Sequence, residues 1–246
     1  MQGLTARQLL EVWEQGEVRH PLDRALMILS AAAGLQATSA TWGSLADLSI
    51  GERNHRLLEL RAATFGPAIA VATACPACGM PLEFTIDSRM LVEAAPPAEA
   101  KPLRLQSDGL DLVLRLPTSR DLASLVQDAG MAGDPRDRLV RRCVVDGMTP
   151  DDPPALSEDV LRALSALLAE ADPLADILFA LSCPKCEQQS HQPLDVAAFF
   201  WAEIVAQARR ILAEVDALAR VYHWPEADIL ALEPRRRQAY LERVLS

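Results

Sequence analysis

Four of the five cysteines form two copies of one short motif, Cys75-Pro76-Ala77-Cys78 and Cys183-Pro184-Lys185-Cys186. Each copy has the two-residue gap and the internal proline of a metal-binding knuckle. Two such knuckles supply the four thiolates that tetrahedral zinc takes in structural sites. In both copies an aspartate follows nine residues after the second cysteine, with an apolar residue just before it: Asp87 in the first copy and Asp195 in the second. The sequence therefore predicts two matching units, each a knuckle, a strand and an aspartate-capped helix, which hold one structural zinc ion through Cys75, Cys78, Cys183 and Cys186.

Other uses of a Cys-x-x-Cys pair stay open from the sequence alone. A redox dithiol needs the motif to open a helix in a βαβ setting, whereas Gly79 and a strand-like run at 82–86 follow the first motif. Iron in a rubredoxin-like site uses the same ligands, and zinc is preferred only because it is the commoner occupant. Disulfides are the weakest alternative, since no signal peptide opens the chain and a reducing cytoplasm is expected.

No catalytic constellation accompanies the cysteines. His191, five residues after Cys186, is the histidine nearest to the motifs and could replace a thiolate or hydrogen-bond to one, but with four cysteines available we do not expect it to be a ligand. The chain has no nucleophile elbow, no phosphate-binding loop and no zinc-protease motif. A site closed by four thiolates also leaves no coordination position for a substrate water. We therefore expect a protein that is not an enzyme and has no small-molecule substrate, in which Cys143 is a small buried hydrophobic residue.

The composition limits the fold class and the partners. Half of the 246 residues are apolar but only 4% are aromatic, so the core must be built from leucine, alanine, valine and isoleucine, as in packed helices. No apolar run approaches the ~20 residues of a membrane helix. The net charge of −10 argues against nucleic acid as a partner, because non-specific affinity comes from basic side chains that neutralise phosphates. The basic run 235–237 keeps a zinc-ribbon nucleic-acid-binding or transcription-associated protein as the alternative.

Helix and strand signals predict a mainly α fold with small β elements. Thr5 caps a first helix, Pro21 begins a second, and a long helix runs from Ser49 to Gly66-Pro67 after a turn at 45–48. The polar residues of 51–61 are interpreted as a solvated helix face with pairs such as Glu52–Arg56. The run 68–74 is interpreted as the strand that enters the first knuckle.

The middle of the chain predicts an inserted hairpin-and-helix subdomain. Alternating leucines at 103–105 and 110–116 flank an Asp-Gly turn, and helices are expected after Thr118, at roughly 136–145, and from Ser157 to about 171. Further on, an apolar seam from Phe200 to Tyr222 predicts a long helix lying on the protein's own core, in preference to a short coiled coil. The predicted regions are an N-terminal helical region (1–66), the first half of the zinc ribbon (67–93), a linker (94–102), the inserted subdomain (103–172), the second half of the ribbon (173–195) and a C-terminal helical region (196–246).

Several segments together resemble a known family. They are IGERNHRLLELRAATFG (50–66), CPACG followed by LEF (75–84), LRLPTSRDLA (114–123), CPKC (183–186), LDVAAFFWAEI (194–204) and EVDALARVYHWPEADILALEPRRRQAYLERV (214–244). In this order they resemble the T-even-phage-type baseplate proteins of contractile phage tails and contractile injection systems, from about Arg19 to Val244. The departures are Asn54 in place of an acid, His223 in place of a glycine, and Glu187 in place of the glycine that closes a knuckle.

The resemblance implies a structural or assembly role in a baseplate and no catalytic activity. It implies other baseplate or tail proteins as partners. It places the protein in the cytoplasm during assembly and, if it stays in the particle, in the baseplate of the virion or injection machine.

Overall fold

The protein is described from a computed structural model that covers residues 2–34, 39–95, 102–107, 109–128, 130–131, 133–147 and 156–245. Helices dominate the described residues, and a 27-residue helix near the C-terminus is the longest of them. The helices are α1 (Ala6–Gly16), α2 (Pro21–Ala32), α3 (Ser39–Ala46), α4 (Ile50–Phe65), α5 (Ser88–Ala94), α6 (Ser119–Gln127), α7 (Pro135–Cys143), α8 (Glu158–Ala171), α9 (Val196–Tyr222), α10 (Glu226–Ala231) and α11 (Pro234–Leu245), with a 3₁₀ turn at Pro173–Ala175.

Three small antiparallel sheets complete the described fold. Two are hairpins, β1 (Ala68–Ala74) with β2 (Pro81–Asp87) and β6 (Leu178–Ser182) with β7 (Gln189–Pro193). The third has the order β3 (Leu103–Ser107), β4 (Leu110–Leu114), β5 (Val144–Asp146). The prediction of a mainly helical protein with small β elements and a long C-terminal helix is confirmed.

The main core lies between α1, α2, α4 and the first half of α9. Along α9 the buried residues Phe200, Ile204, Ala208 and Ile211 follow helical spacing, and Phe65 of α4 meets the Phe200 ring edge-on at 5.9 Å. The apolar seam of α9 therefore packs on the protein's own core, as predicted, because helices α1, α2 and α4 cover it. Further along, Leu218 packs with Ile229 and Leu241 of α10 and α11 in a small separate cluster.

The segment between the two hairpins has a core of its own. Leu112 and Leu114 of β4 pack against Val140 and Cys143 of α7 and Leu164 of α8. Alternate leucines of β4 face this core, because side chains of a strand point to its two faces in turn. Cys143 is fully buried here, as predicted, well away from the other cysteines in the sequence.

Two predicted boundaries were wrong. The helix expected at 136–145 ends at Cys143, because Val144 and Asp146 pair with Leu114 and Val113 of β4. β-Branched residues at 144 and 145 suit a strand better than a helix end. The turn expected at 45–48 begins only at Asp47, because residues 45 and 46 belong to a helix, α3, that was not predicted from the sequence.

The proline-rich linker and two turns fall largely outside the described residues. Helix α5 runs to Ala94, and Ala95 is buried against the main core, so the first two residues of the predicted linker belong to the packed fold. The remainder, 96–101, lies outside the described residues, as do Asp108 of the predicted hairpin turn and the predicted loop 149–154.

A close approach between Gly51 and Asp172 joins α4 to the end of α8. Asp172 is 3% exposed and its Oδ2 accepts a hydrogen bond from the Gly51 N–H at 2.9 Å. A β-carbon on Gly51 would lie 1.7 Å from Asp172 Oδ1. The carboxylate holds the first turn of α4 only because residue 51 has no side chain.

We expect Gly51→Ala to lower the free energy of unfolding by about 1–3 kcal/mol, because the buried carboxylate must abandon its N–H donor. Denaturant unfolding of the two proteins measures the difference. Gly43→Ala in α3 is the matched control: its β-carbon would meet only Arg120 Nη2 at 3.8 Å, so it should stabilise the helix by roughly 0.5–1 kcal/mol. Equal effects of the two substitutions would contradict the role given to Asp172.

Candidate metal centre

Each Cys-x-x-Cys motif forms a tight turn between the two strands of a hairpin. In the first turn the Cys75 N–H donates to the Met80 carbonyl at 2.8 Å, and the Gly79 N–H donates to the Cys75 carbonyl at 2.9 Å. The second turn repeats both bonds, from Cys183 to the Gln188 carbonyl at 3.0 Å and from Glu187 to the Cys183 carbonyl at 2.9 Å. The two motifs are therefore the same local structure, as their sequences predict.

The structure brings the four knuckle sulfurs together. Cys75 Sγ lies 3.7 Å from Cys186 Sγ, and Cys78 Sγ lies 3.7 Å from Cys183 Sγ. All four sulfurs lie within 4.8 Å of one another. Four sulfurs at 2.3 Å from a tetrahedral ion are about 3.8 Å apart, whereas bonded sulfurs are about 2.05 Å apart. The arrangement has the size of a four-thiolate metal site, and the cysteines are not disulfide-bonded.

Packing between the two hairpins places the knuckles opposite each other. Phe84 of β2 meets Phe179 of β6 edge-on with ring centroids 6.1 Å apart, and the Thr73 hydroxyl donates to Gln192 Oε1 at 3.5 Å. The first cysteine of each knuckle is next to the second cysteine of the other, so the two hairpins meet in a crosswise arrangement. Two hairpins that lie far apart in the chain thus form one cluster.

The two aspartates after the hairpins act as helix caps, as predicted. Asp87 Oδ1 accepts the Arg89 N–H at 2.9 Å at the start of α5, and Asp195 Oδ1 accepts the Ala198 N–H at 3.0 Å at the start of α9. A capping carboxylate satisfies backbone donors that the first helical turn leaves free. The caps fix the direction in which each chain segment leaves its hairpin.

The thiols of the cluster differ in acidity. The pKa of Cys183 falls to about 6, because the backbone N–H groups of Cys186 and Lys185 point at its sulfur. The Met80 N–H lowers the pKa of Cys78, but the neighbouring thiols, led by Cys186, outweigh it and raise that pKa to about 12. Four adjacent thiols cannot all ionise without a compensating charge, and a bound divalent cation supplies that charge and deprotonates its ligands.

The histidines take no part in the cluster. Among the described residues, the four cysteines are the group of cysteine, histidine and carboxylate side chains close enough to hold an ion. His191 lies exposed on β7, in register with Ala180. His20 caps α2, where its Nδ1 accepts the Leu22 N–H at 3.3 Å, and His223 ends α9 with a left-handed backbone.

Glu187 occupies a backbone conformation that favours glycine. Its φ is 59°, and Gly79, at the same place in the first knuckle, has a φ of 70°. A non-glycine residue in the left-handed region costs roughly 1–2 kcal/mol. The second knuckle is therefore strained at the position where the sequence departs from the expected glycine.

Glu187→Gly is expected to stabilise the protein by about 0.5–1 kcal/mol, since relief of the strain exceeds the extra entropy of glycine in the unfolded chain. Gly79→Ala is the reciprocal control and should destabilise by about 1 kcal/mol; no atom of the described residues lies within 4 Å of its new β-carbon, so only the backbone is affected. Thermal unfolding of the metal-loaded variants measures both. Glu187→Ala, which keeps the strain, should not stabilise.

The polar face of α4 was misjudged from the sequence. Arg53, Asn54 and Arg61 are 6%, 6% and 3% exposed, and they lie on the face of α4 that also carries Leu57 and Leu58. The expected Glu52–Arg56 pair is present at 2.8 Å, but on the outer side. The spacing of Arg53, Asn54 and Arg61 could have predicted their burial, because residues 53, 54, 57, 58 and 61 share one helical face. Polar residues on an otherwise apolar face indicate buried hydrogen bonds.

Arg61 joins three elements near the first hairpin. It makes two bonds to Glu203 of α9, at 2.9 and 2.6 Å, and donates to the carbonyls of Gly66 and Ala68 at 2.7 and 2.8 Å. The buried guanidinium thus supplies hydrogen-bond donors to backbone carbonyls at the end of α4 and at the beginning of β1. It fixes the first hairpin relative to the long helix.

The basic run at 235–237 is only in part a free basic patch. Arg237 is 7% exposed and pairs with Glu214 of α9 at 2.9 Å, and the Arg236 guanidinium lies 6.0 Å from the centroid of the Tyr240 ring. The charge of Arg237 is neutralised inside the fold. Arg235 and Arg236 remain exposed, so the run offers two of its three charges for the phosphate contacts on which nucleic-acid binding depends.

A comparison with known families gives one match, and it agrees with the resemblance in the sequence. Residues 35–149, a little under half of the chain, match the family described as T4 bacteriophage base plate protein. The resemblance to the T4-type baseplate family is confirmed over these residues. No curated protein and no solved structure matches the chain.

The segment matched to the T4-type baseplate family holds the polar face of α4, the first knuckle and all three strands of the sheet β3–β4–β5. Cys183, Cys186 and the long helix α9 lie outside the matched residues. In the described part of the chain no helix combines the length and apolar character needed to cross a membrane.

Proposed function

We propose that this protein is a non-enzymatic structural or assembly component of the baseplate of a contractile tail or injection machine. The observation that carries the proposal is the match of residues 35–149 to the T4-type baseplate family. Such a component works by binding other baseplate or tail proteins. It acts in the cytoplasm while the baseplate is built, and in the particle if it stays there.

The second part of the proposal is that zinc joins the two hairpins as a split zinc ribbon. Cys75, Cys78, Cys183 and Cys186 would hold the ion, and its chemistry is structural because four thiolates close the coordination sphere. The sulfur spacing supports a tetrahedral ion, and the thiolate ligands favour zinc over hard cations. The zinc ribbon would tie the N-terminal helices to the helices after the inserted subdomain, 103–172.

The partner proposal is tested by co-expression of the tagged chain with each baseplate protein of the same contractile system. Size-exclusion chromatography of the purified material should show at least one complex that survives moderate salt. A chain that stays alone beside every one of these proteins would refute the proposal. Retention on DNA or RNA at low salt, lost as salt rises, would instead point to the nucleic-acid alternative.

A further inference from the structure

A cavity of about 350 Å³ opens between α2, the start of α4 and the first turn of α9. Its walls are largely apolar and include Leu22, Ile50, Ile177 and Trp201. Arg53 of α4, 6% exposed, also lines it. The cavity therefore combines an apolar interior with one buried positive charge.

Among the described residues, the hydrogen-bond partners of Arg53 are neutral, although Asp195 lies near enough for its charge to act on the guanidinium. Its Nε and Nη2 donate to Asn54 Oδ1 at 3.2 and 3.0 Å, and its Nη1 donates to the Ser119 hydroxyl at 3.2 Å. These bonds are its hydrogen bonds to the described residues, and both acceptors are neutral. A guanidinium has five N–H donors, so two are left for an acceptor from elsewhere. Burial lowers the pKa of Arg53, and the charge of Asp195 offsets part of this shift.

The other charged groups of the cavity lie nearer to solvent. Asp176 and Asp195 are exposed, and Asp195 is occupied as the cap of α9. Arg24 lies over the Trp201 ring at 4.6 Å and donates to the Gly16 and Glu17 carbonyls. Solvent screens the exposed carboxylates, whereas the interaction of a ligand with buried Arg53 is screened much less. The first turn of α9 adds the positive end of a long helix.

We propose that this cavity receives the carboxylate of an acidic side chain, together with its short apolar stem, from another baseplate protein. A carboxylate is the acceptor that binds two guanidinium N–H groups at once, and the apolar walls suit the methylene groups behind it. The nature of the partner rests on the proposed function; the chemistry of the cavity does not. In this proposal, Arg53 is the residue that makes the cavity prefer a carboxylate over a neutral group of the same size.

The test uses butyrate, which reproduces a glutamate side chain together with its Cα, and its neutral analogue butyramide as probes of the metal-loaded protein. NMR follows the Arg53 Nε–H and the Trp201 indole N–H at constant ionic strength. Butyrate should shift both signals along a saturable curve, and butyramide should need about tenfold higher concentration, the difference expected for a charge-assisted hydrogen bond. Equal shifts from both probes, or no saturable shift from butyrate, would overturn the proposal.

Two variants make the result specific. Arg53→Gln removes the charge but keeps a donor for Asn54, and the Trp201 signal should then no longer distinguish butyrate from butyramide. Ala198→Trp fills the cavity from the exposed first turn of α9 and should abolish the butyrate shifts while Arg53 keeps its bonds. Persistence of the preference in both variants would refute the assignment to Arg53.

The cavity and the baseplate role can fail separately. If a baseplate protein co-purifies equally well with Arg53→Gln, Ala198→Trp and the unmodified chain, the cavity is not its docking site. If butyrate binds as described but no baseplate protein co-purifies, the proposed function fails while the carboxylate site remains.

Discussion

Replacing Cys183 with serine is expected to abolish tight zinc binding and to separate the two hairpins. Cys183 is 2% exposed, and its sulfur is one of the four that lie within 4.8 Å of one another. Zinc binding by small cysteine-rich peptides is worth on the order of 10 kcal/mol and is coupled to their folding. The loss should therefore exceed that of an ordinary core substitution. It should fall on the hairpins first, because the main helical core is built from other residues.

Hydrogen exchange and thermal unfolding would show this effect. In Cys183→Ser the amides of β1, β2, β6 and β7 should lose protection, while those of α4 and α9 keep most of theirs. Cys143→Ala is the matched control: this cysteine is fully buried in the inserted core, so its replacement should cost about 1–2 kcal/mol without affecting metal content. Unchanged metal content and unchanged stability of Cys183→Ser would contradict the proposal that zinc joins the two hairpins.

Arg61→Met is expected to lower the free energy of unfolding by about 2–3 kcal/mol. This is less than the usual cost of breaking a fully buried ion pair, because the Glu203 side chain is 26% exposed. The substitution leaves the Glu203 carboxylate without its ion-pair partner. It also removes the donor to the Gly66 and Ala68 carbonyls. Methionine keeps most of the side-chain volume, so the loss reports on the polar contacts. Denaturant unfolding measures it.

Arg56→Met on the same helix is the control for Arg61→Met. Its pair with Glu52 lies at the surface, where the Arg56 side chain is 38% exposed, and such pairs contribute about 0–1 kcal/mol. A similar loss for both variants would mean that the fold does not depend on the buried arginine.

The candidate site was predictable because its information is local. The cysteine spacing, the strand that follows and the capping aspartate each act within a few residues, so Cys75 to Asp87 and Cys183 to Asp195 could be read as matching units. The sequence also indicated the strained position in the second knuckle, because Glu187 stands where the first knuckle has Gly79. That the sulfurs meet in one cluster, at 3.7 Å, depends on packing between hairpins such as Phe84 against Phe179.

What the sequence did not reveal depends on partners distant in the chain. Arg53 and Arg61 look like surface residues until Ser119 and Glu203 are placed beside them. Strand β5 exists because β4 lies next to Val144, so a helical pattern was overridden by pairing. The sequence alone does not show that one of the three charges of the run 235–237, that of Arg237, is paired with Glu214. Burial of polar groups is decided by tertiary contacts, and local propensity carries little information about it.

Metal content and thiol accessibility of the purified protein, before and after chelation, test the central claim most directly. The account predicts one zinc ion per chain and four knuckle thiols that resist alkylation until a chelator removes the ion. Freely reactive Cys75, Cys78, Cys183 and Cys186 in a protein without bound metal would contradict the split zinc ribbon. That result would favour a redox role for the two motifs, which a Cys-x-x-Cys pair can also have.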